Sequence, residues 1–596
     1  MFKSIKIYAD FQNLLEVKFS VLIWSGLILV LGLIPFQAKA FEPFQFNKGL
    51  EAEDLKISDW VSQADPSQNR FPQTGPPLES LPPEPLEPEG EIPAPAPEIA
   101  PETAEPSLER VDVQQIIVSG STVFSQDELQ QAVLPYVGQS LSVVDLQAAA
   151  DAVTQLYIRR GYITSRATLQ EQTLVDGVVE IQIIEGQLEE IQVIGTEQLA
   201  NYIRSRVALG VGKPLNQRDL EDQLRLLQID SLFDRIKASL RPGTTTGGTI
   251  LVIEAEVANP FSGSISIDNL SPRSTGEYRV GTNLQLRNLA GLGDTLFTSA
   301  YRTTTGGSES YELGYRIPLN PMNGTLQFRV APSFFRITDP NELGFLFSQS
   351  GSTDIYEVDF RQPLIRTPRE EFALSLGFRY RQGSTLVAGI VLPSTTTSTF
   401  SFGQDYTRRD FSGAWAVRSQ FRLGTGLFDA STPPNSRGNH QFFSWIGDVQ
   451  RFQVLSPDNI LILTASAQLT PDRLLSSEQF YIGGGQSVRG YYQNARFGDN
   501  GIHLSVEDRI TLLREDDGSA LVEVVPFVDF GYVWNNQSAS FLNQNFLVGT
   551  GVGFNLNPLP NLSTNVDFGI PLISLNQISA DLPSGLRVYF DVRYRF

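Results

Sequence analysis

At 596 residues, with no cysteine and only two histidines, His440 and His503, the chain excludes disulfide frameworks, thiolate zinc sites and most imidazole chemistry. Its 45 lysines and arginines against 66 aspartates and glutamates leave a formal charge of -21, which argues against a general nucleic-acid binder that must neutralise phosphates. An acidic balance of this kind suits carboxylates that face open solvent or a water-filled lumen.

The N-terminus carries Lys3, Lys6 and Lys18, then the apolar run VLIWSGLILVLGLI from Val21 to Ile34, then Ala38-Lys39-Ala40 as an A-x-A cleavage site. This order predicts a signal peptide over residues 1–40 and a mature chain that starts at Phe41. A retained span needs about 20 apolar residues, and Pro35 closes this run early. Residues 41–65 include GLEAEDLKISDWVSQ, patterned as a short amphipathic helix, with a frayed mature terminus as the equal alternative. Residues 66–110 read as an extended, self-repelling linker: Pro66 to Pro106 hold 13 prolines and eight glutamates, no lysine and one arginine, Arg70.

An internal repeat follows. IIVSG at Ile116–Gly120 recurs as IQVIG at Ile191–Gly195, and each unit closes on a β-run, VVEIQIIEG (Val178–Gly186) and TILVIEAEV (Thr249–Val257). In the first unit Ser125 and Glu128 form a capping box, with Phe124 and Leu129 at staple spacing, so a helix starts there. Ser142 opens a second helix that presents Leu146, Ala150, Val153 and Tyr157 on one face and ends at Gly161. The order strand, helix, helix, strand, strand resembles the POTRA domain, a periplasmic module, here duplicated over residues 111–186 and 187–258.

From residue 259 to Phe596 the pattern changes to alternating segments between Gly, Ser, Thr, Asn and Pro clusters, among them SGSISIDNL, YRVGTNLQLRN, DTLFTSAYR and FALSLGFRYRQ. About sixteen such segments fit a transmembrane barrel whose tilted strands need about ten residues each. The last, LRVYFDVRYRF, puts Val588, Phe590, Val592, Tyr594 and Phe596 on one face, an apolar stripe for lipid. A terminal Phe closing that stripe resembles the outer-membrane insertion signal. The expected fold is therefore mainly β: a C-terminal barrel of about 16 antiparallel strands preceded by two α/β POTRA domains.

Between the eleventh and twelfth segments lies the glycine-rich stretch YIGGGQSVRGYYQNARFGDNG, Tyr481 to Gly501, within an outward-facing sixth loop over residues 470–500. Period two on the next strand sets Phe527, Asp529 and Gly531 on one face and Val528, Phe530, Tyr532 and Trp534 on the other, which lipid accepts. Asp529 then points into the lumen and needs a partner. Arg489 offers the planar guanidinium that binds a carboxylate through two parallel hydrogen bonds. Glu507 and Asp508 are competing partners for it. The loop is expected to fold back into the barrel, with Arg489 latched to Asp529.

Val488-Arg489-Gly490-Tyr491 and Phe527-Val528-Asp529-Phe530-Gly531 together resemble the VRGY/F and F-x-D-x-G motifs of the outer-membrane transporters of two-partner secretion, the hemolysin secretion/activation family. The tripeptide alone is unspecific, since Arg160-Gly161-Tyr162 repeats it at a helix C-cap; its place in the architecture supplies the weight. The resemblance covers Val111 to Phe596 and implies export of an unfolded passenger protein, bound by the periplasmic POTRA units and passed through the barrel. In some relatives a helix before the linker plugs the pore; for residues 41–65 the resemblance leaves a plug helix and a frayed terminus as open alternatives. Binding by strand addition to a sheet edge points to FDRIKASL, the run Phe233, Asp234, Arg235, Ile236, Lys237, Ala238, Ser239 and Leu240, provided that the third strand of the unit is central. The expected partners are the passenger, outer-membrane lipid and lipopolysaccharide, and the barrel-assembly machinery during biogenesis, with no nucleic acid. Neither GxxxxGK[ST] nor G-x-S-x-G occurs, and no cofactor, metal or catalytic residue is expected. An assembly factor for other barrel proteins is the alternative, and a passive porin a weaker one. Intact-mass analysis of protein extracted from membranes should return a chain that begins at Phe41; retention of Met1 would exclude the cleavage reading.

Overall fold

The computed structural model describes residues 110–173, 176–433, 436, 438–536, 544–575 and 585–596. The expected signal peptide, amphipathic helix and proline-rich linker lie outside the described residues.

In the first repeat unit, strand Gln115–Ser119 is followed by helices Gln126–Val133 and Val143–Arg159 and by strands Arg166–Leu169 and Val178–Ile184. The third strand is central, parallel to the first and antiparallel to the second. Both helices begin as their sequences require. Ser125 accepts from the Glu128 amide while Glu128 reaches back to the Ser125 amide, and Ser142 and Asp145 repeat the arrangement. Leu129, Val133, Leu146, Ala150, Val153 and Tyr157 turn one helical face onto Ile116, Val118, Val179 and Ile181 to form the unit's core. Arg160-Gly161 ends the second helix, with Gly161 at φ 89°. The Gly161 carbonyl accepts from Gln217 N at 2.8 Å, and the Arg160 carbonyl from Asn216 Nδ2 at 3.2 Å. Residues at the end of a helix in one unit thus cap the start of a helix in the next.

The second unit repeats the order with strand Gln187–Ile194, helices Ala200–Val207 and Gln217–Gln228, and strands Phe233–Pro242 and Gly248–Val257. Gly248–Val257 is central, with Gln187–Ile194 and Phe233–Pro242 as the two edges.

Sixteen strands then close a barrel. They are β1 (Phe261–Asp268), β2 (Arg279–Arg287), β3 (Thr295–Thr303), β4 (Ser308–Pro318), β5 (Thr325–Arg336), β6 (Ser350–Arg366), β7 (Glu370–Val387) and β8 (Thr395–Asp410). There follow β9 (Gly413–Thr425), β10 (Phe442–Ser456), β11 (Asn459–Leu469), β12 (Asn500–Arg514), β13 (Ala520–Trp534), β14 (Phe546–Leu559), β15 (Leu562–Pro571) and β16 (Arg587–Arg595). Each pairs antiparallel with its sequence neighbours, and a two-residue strand, Ile390–Val391, extends the turn between β7 and β8. The strands exceed the expected ten residues most at β6 to β8, which run 17, 18 and 16 residues. Their outer ends, Ser350-Gly351-Ser352-Thr353 and Thr395-Thr396-Thr397-Ser398, are polar, so this ladder continues where an apolar band is no longer required.

Alternation along β16 is as the sequence predicts: Val588, Tyr594 and Phe596 are exposed on the outside, while Tyr589 is buried inside. The barrel closes between β16 and β1 through five register pairs, Asp591↔Asp268 to Arg595↔Ser264. Phe596 and Gly263 add a reciprocal pair of backbone bonds at 2.8 and 2.9 Å. Past the end of β1 the Asn269 side chain stands in for a further residue of ladder, donating to Val588 O and accepting from Phe590 N, both at 2.8 Å.

Ser125→Ala removes the hydroxyl that accepts from the Glu128 amide and leaves the Glu128 bond to the residue 125 amide, a loss of about 1 kcal/mol. Amide exchange across Gln126–Val133 in the full-length protein should quicken about fivefold, with the barrel amides unaffected; an unchanged rate would mean the cap contributes nothing.

Candidate functional site

Loop six leaves β11 at Leu469 and returns at Asn500. Two short strands inside it, Phe480–Ile482 and Arg496–Gly498, pair antiparallel and carry the intervening tip. The tip folds tightly because Gly483, Gly484 and Gly490 take φ near 100° (102°, 102° and 99°), a conformation that side chains disfavour. Ser487 and Val488 then bond back to the glycines: Gly483 N donates to Ser487 Oγ at 2.9 Å and Gly484 N to Val488 O at 3.0 Å.

The tip lies on the inner wall of β12 to β16. On β13 the side chains of Phe527 and Asp529 and the α-carbon of Gly531 face inward, and Val528 and Tyr532 are exposed outward. Arg489 Nε and Nη2 donate to the two oxygens of Asp529 at 2.7 and 2.8 Å, the parallel two-bond geometry. The Arg489 amide adds a third bond to the carboxylate at 3.0 Å, and Ser505 Oγ a fourth at 2.7 Å. The guanidinium carbon sits 3.4 Å from the Phe527 ring centroid, stacked on its face.

Asp529 is 0% exposed and Arg489 5%. At that depth each charge depends on the other, because a lone buried ion costs several kcal/mol. Glu507 also belongs to the site, 2.9 Å from Arg489 Nη2, and acts as a further counter-charge rather than a competitor. Asp508 falls on the opposite strand parity and is no partner of Arg489.

The rest of the motif is packed as tightly. Val488 is fully buried with Ile482, Tyr491, Val533 and Leu547. Gly490 N donates to the Tyr589 hydroxyl at 2.9 Å, which donates in turn to Tyr491 O at 2.5 Å. The Tyr491 hydroxyl donates to Ile573 O at 2.8 Å and lies 2.9 Å from Val548 O. Gly531 permits the approach, since a Cβ there would stand 2.8 Å from Val488 Cγ2. Gly549 does so more strictly: a Cβ there would collide with the Arg489 carbonyl oxygen. The motif residues Val488, Arg489, Gly490, Tyr491, Phe527, Asp529 and Gly531 therefore form one contact set.

Several members were not singled out from sequence: Ser505, Asp567 (3.5 Å from Arg489 Nη1), Tyr589, and a second buried ion pair at the loop's root. In that pair Arg422 on β9 donates to Glu478 at 2.9 Å, to Ser444 Oγ at 3.1 Å and to Gln468 Oε1 at 3.2 Å. One signal was available: Gly549, Gly551 and Gly553 alternate along β14, which strips one strand face of side chains where a loop must dock.

Phe233 to Leu240 lie on an outer strand of the second repeat unit, in a separate module from loop six. Phe233, Ile236 and Leu240 are buried in that unit's core, Asp234, Arg235 and Lys237 are exposed, and Ala238 and Ser239 are intermediate.

Family comparison gives a match to haemolysin secretion/activation protein ShlB/FhaC/HecB over residues 247–556 and to a ShlB-type POTRA domain over residues 111–186. The outer membrane transporter CdiB of Escherichia coli O6:K15:H31 (strain 536 / UPEC) is 28% identical over 515 residues, covering 84% of this chain and 85% of the relative. The heme/hemopexin transporter protein HuxB of Haemophilus influenzae is 24% identical over 485 residues, with 77% and 83% covered. The solved structure of CdiB from Escherichia coli superposes with a TM-score of 0.64 at 28% identity, over 84% of this chain and 93% of that one.

Arg489→Ala strands the Asp529 carboxylate, and breaking a buried pair costs about 3–5 kcal/mol. The loop tip should undock while the closed ladder keeps the barrel folded, and passenger secretion should fall about tenfold or more. Asp529→Ala should match it, and the double variant should be little worse than either single change. Additive losses at equal barrel abundance would show that the two residues do not act as a pair.

Proposed function

This chain belongs to the ShlB/FhaC/HecB family of haemolysin secretion/activation proteins, and on that premise we propose how its parts divide the export of a passenger protein. The protein is an outer-membrane transporter: the POTRA units face the periplasm, and the passenger crosses through the barrel. The first step in our reading is capture of the unfolded passenger along the edge strand Phe233–Pro242, whose outer side has no strand partner among the described residues. Main-chain hydrogen bonds provide affinity there with little demand on sequence, and the exposed Asp234, Arg235 and Lys237 bias it.

The second step is passage through a lumen whose free section is set by loop six. Arg489–Asp529 and Arg422–Glu478 hold the loop at tip and root, so its position is a fixed property of the barrel rather than a thermal average. The single observation that carries this reading is the buried two-bond pair between Arg489 and Asp529, which joins the two family motifs physically. Passenger folding outside the cell supplies the direction. Lipid and lipopolysaccharide around the outer face, and the barrel-assembly machinery during biogenesis, complete the partners in this reading.

Deleting Val111–Val257 should abolish passenger secretion and leave a heat-modifiable barrel in the outer membrane. Secretion that persists at the parental rate from the truncated chain would overturn the division of labour.

A further inference from the structure

Export as described leaves one well-built cluster unused, where the second POTRA unit meets the periplasmic turns of the barrel. Arg206, in the last turn of helix Ala200–Val207, is 5% exposed, and its guanidinium carbon lies 3.3 Å from the centroid of the Tyr202 ring one turn earlier. Its Nη2 donates at 3.3 Å to Asn323 Oδ1, in the turn between β4 and β5. Its Nε is buried without a hydrogen-bond partner. A cation held so deeply, with one donor unmet, costs stability.

Tyr202 makes the second contact. Its hydroxyl donates to Asp230 at 2.6 Å; burial, with the Asp230 carboxylate adding to it, pushes the phenol well above its usual range and keeps it a donor. Its ring faces Gly293, in the turn between β2 and β3, where φ is 77° and a Cβ would collide with the ring and stand 3.1 Å from Leu232. The same elements start the edge strand. Asp230 accepts from Leu232 N through Oδ1 at 3.1 Å and from Phe233 N through its backbone carbonyl at 3.0 Å, and the Phe233 and Tyr202 ring centroids are 6.3 Å apart.

The covalent link between module and barrel is short, residues 258–260 between Val257 and Phe261, and a single link is a pivot. Gly293 and Asn323 lie on different turns, so together with the link they give three separate points of attachment, enough to fix an orientation. We propose that Tyr202 and Arg206 are positioning residues that seat the second POTRA unit on two periplasmic turns and hold the Phe233 end of the docking strand at the barrel rim. This inference rests on the reading of Phe233–Pro242 as the passenger's docking edge. An unfolded chain added along that edge then has one end at the lumen mouth, where a freely pivoting module would present it in many directions. Fixed geometry raises the effective concentration of the chain at the opening without any new contact.

The absence of native cysteine allows a direct test in the full-length protein. Spin labels at Arg218→Cys, exposed on the POTRA helix, and Asp517→Cys, in the periplasmic turn between β12 and β13, report the angle between module and barrel. The parent should give a narrow distance distribution. Gly293→Asn, which tolerates the positive φ but drives a side chain into Tyr202, and Asn323→Ala should each broaden it; both changes lie on the barrel side and leave the POTRA fold untouched. Secretion is followed with the protein that disappears from the culture medium when this chain is deleted, and should fall about fivefold in Gly293→Asn at equal barrel abundance. Adding Tyr202→Ala to Gly293→Asn removes the clash but also the ring, so it should leave the distribution broad.

A broad distribution in the parent, or a narrow one in both barrel-side variants, overturns the joint. A broadened distribution with secretion at the parental rate overturns its positioning role. Since the distance measurement involves no passenger, failure of the joint and failure of the docking-edge reading are seen separately.

Discussion

A carboxylate sealed into a barrel wall constrains everything around it. Asp529 has no exposed surface, and its four hydrogen bonds come from Arg489 three times over and from Ser505. The guanidinium can reach it only if loop six dips back into the lumen. The loop can dip only if its tip turns through glycine conformations and if the wall beneath it is bare, which is what Gly549 on β14 and Gly569 on β15 provide. Local backbone freedom, strand parity and a buried ion pair are thus one arrangement seen at three scales.

The lumen that results is asymmetric. Loop six covers the wall from β12 to β16, while β5 to β9 carry charges paired mainly with one another: Arg329 with Glu357 at 2.5 Å, Arg361 with Glu371 at 2.6 Å, and Arg418 with Asp405 at 3.0 Å. Pairs that water reaches, Arg361–Glu371 and Arg418–Asp405, contribute little to stability, whereas Glu357 is buried and depends on Arg329 and Arg379. Paired across neighbouring strands, these residues set opposite charges side by side along the inner wall.

Much of this was legible in the sequence because it depends on period and on caps. Ser125 with Glu128 and Ser142 with Asp145 define helix starts by local hydrogen bonding, so no tertiary information is needed. Strand alternation alone places Asp529 inward and Val528 outward, and the same rule sorts β16. Parity also separates Glu507 from Asp508: only Glu507 shares the inward face, and counting from Asp529's partner Ser505 would have made that distinction. Arg422 and Glu478 were not legible, since they stand 56 positions and two barrel strands apart and neither belongs to a short motif. Tyr202 and Arg206 were hidden for a related reason. On an amphipathic helix they read as ordinary surface residues, and their burial depends on barrel turns about a hundred positions further along.

Tyr589 ties the loop to the seam of the barrel. Its hydroxyl bridges Gly490 N and Tyr491 O, yet it belongs to β16, the strand that pairs with β1 to close the barrel. A barrel still lacking that strand offers the loop tip Asp529 but not Tyr589, so the tip reaches its complete set of partners only when the cylinder is shut. Seam and loop are thereby coupled: a tip that holds all its partners implies a closed cylinder.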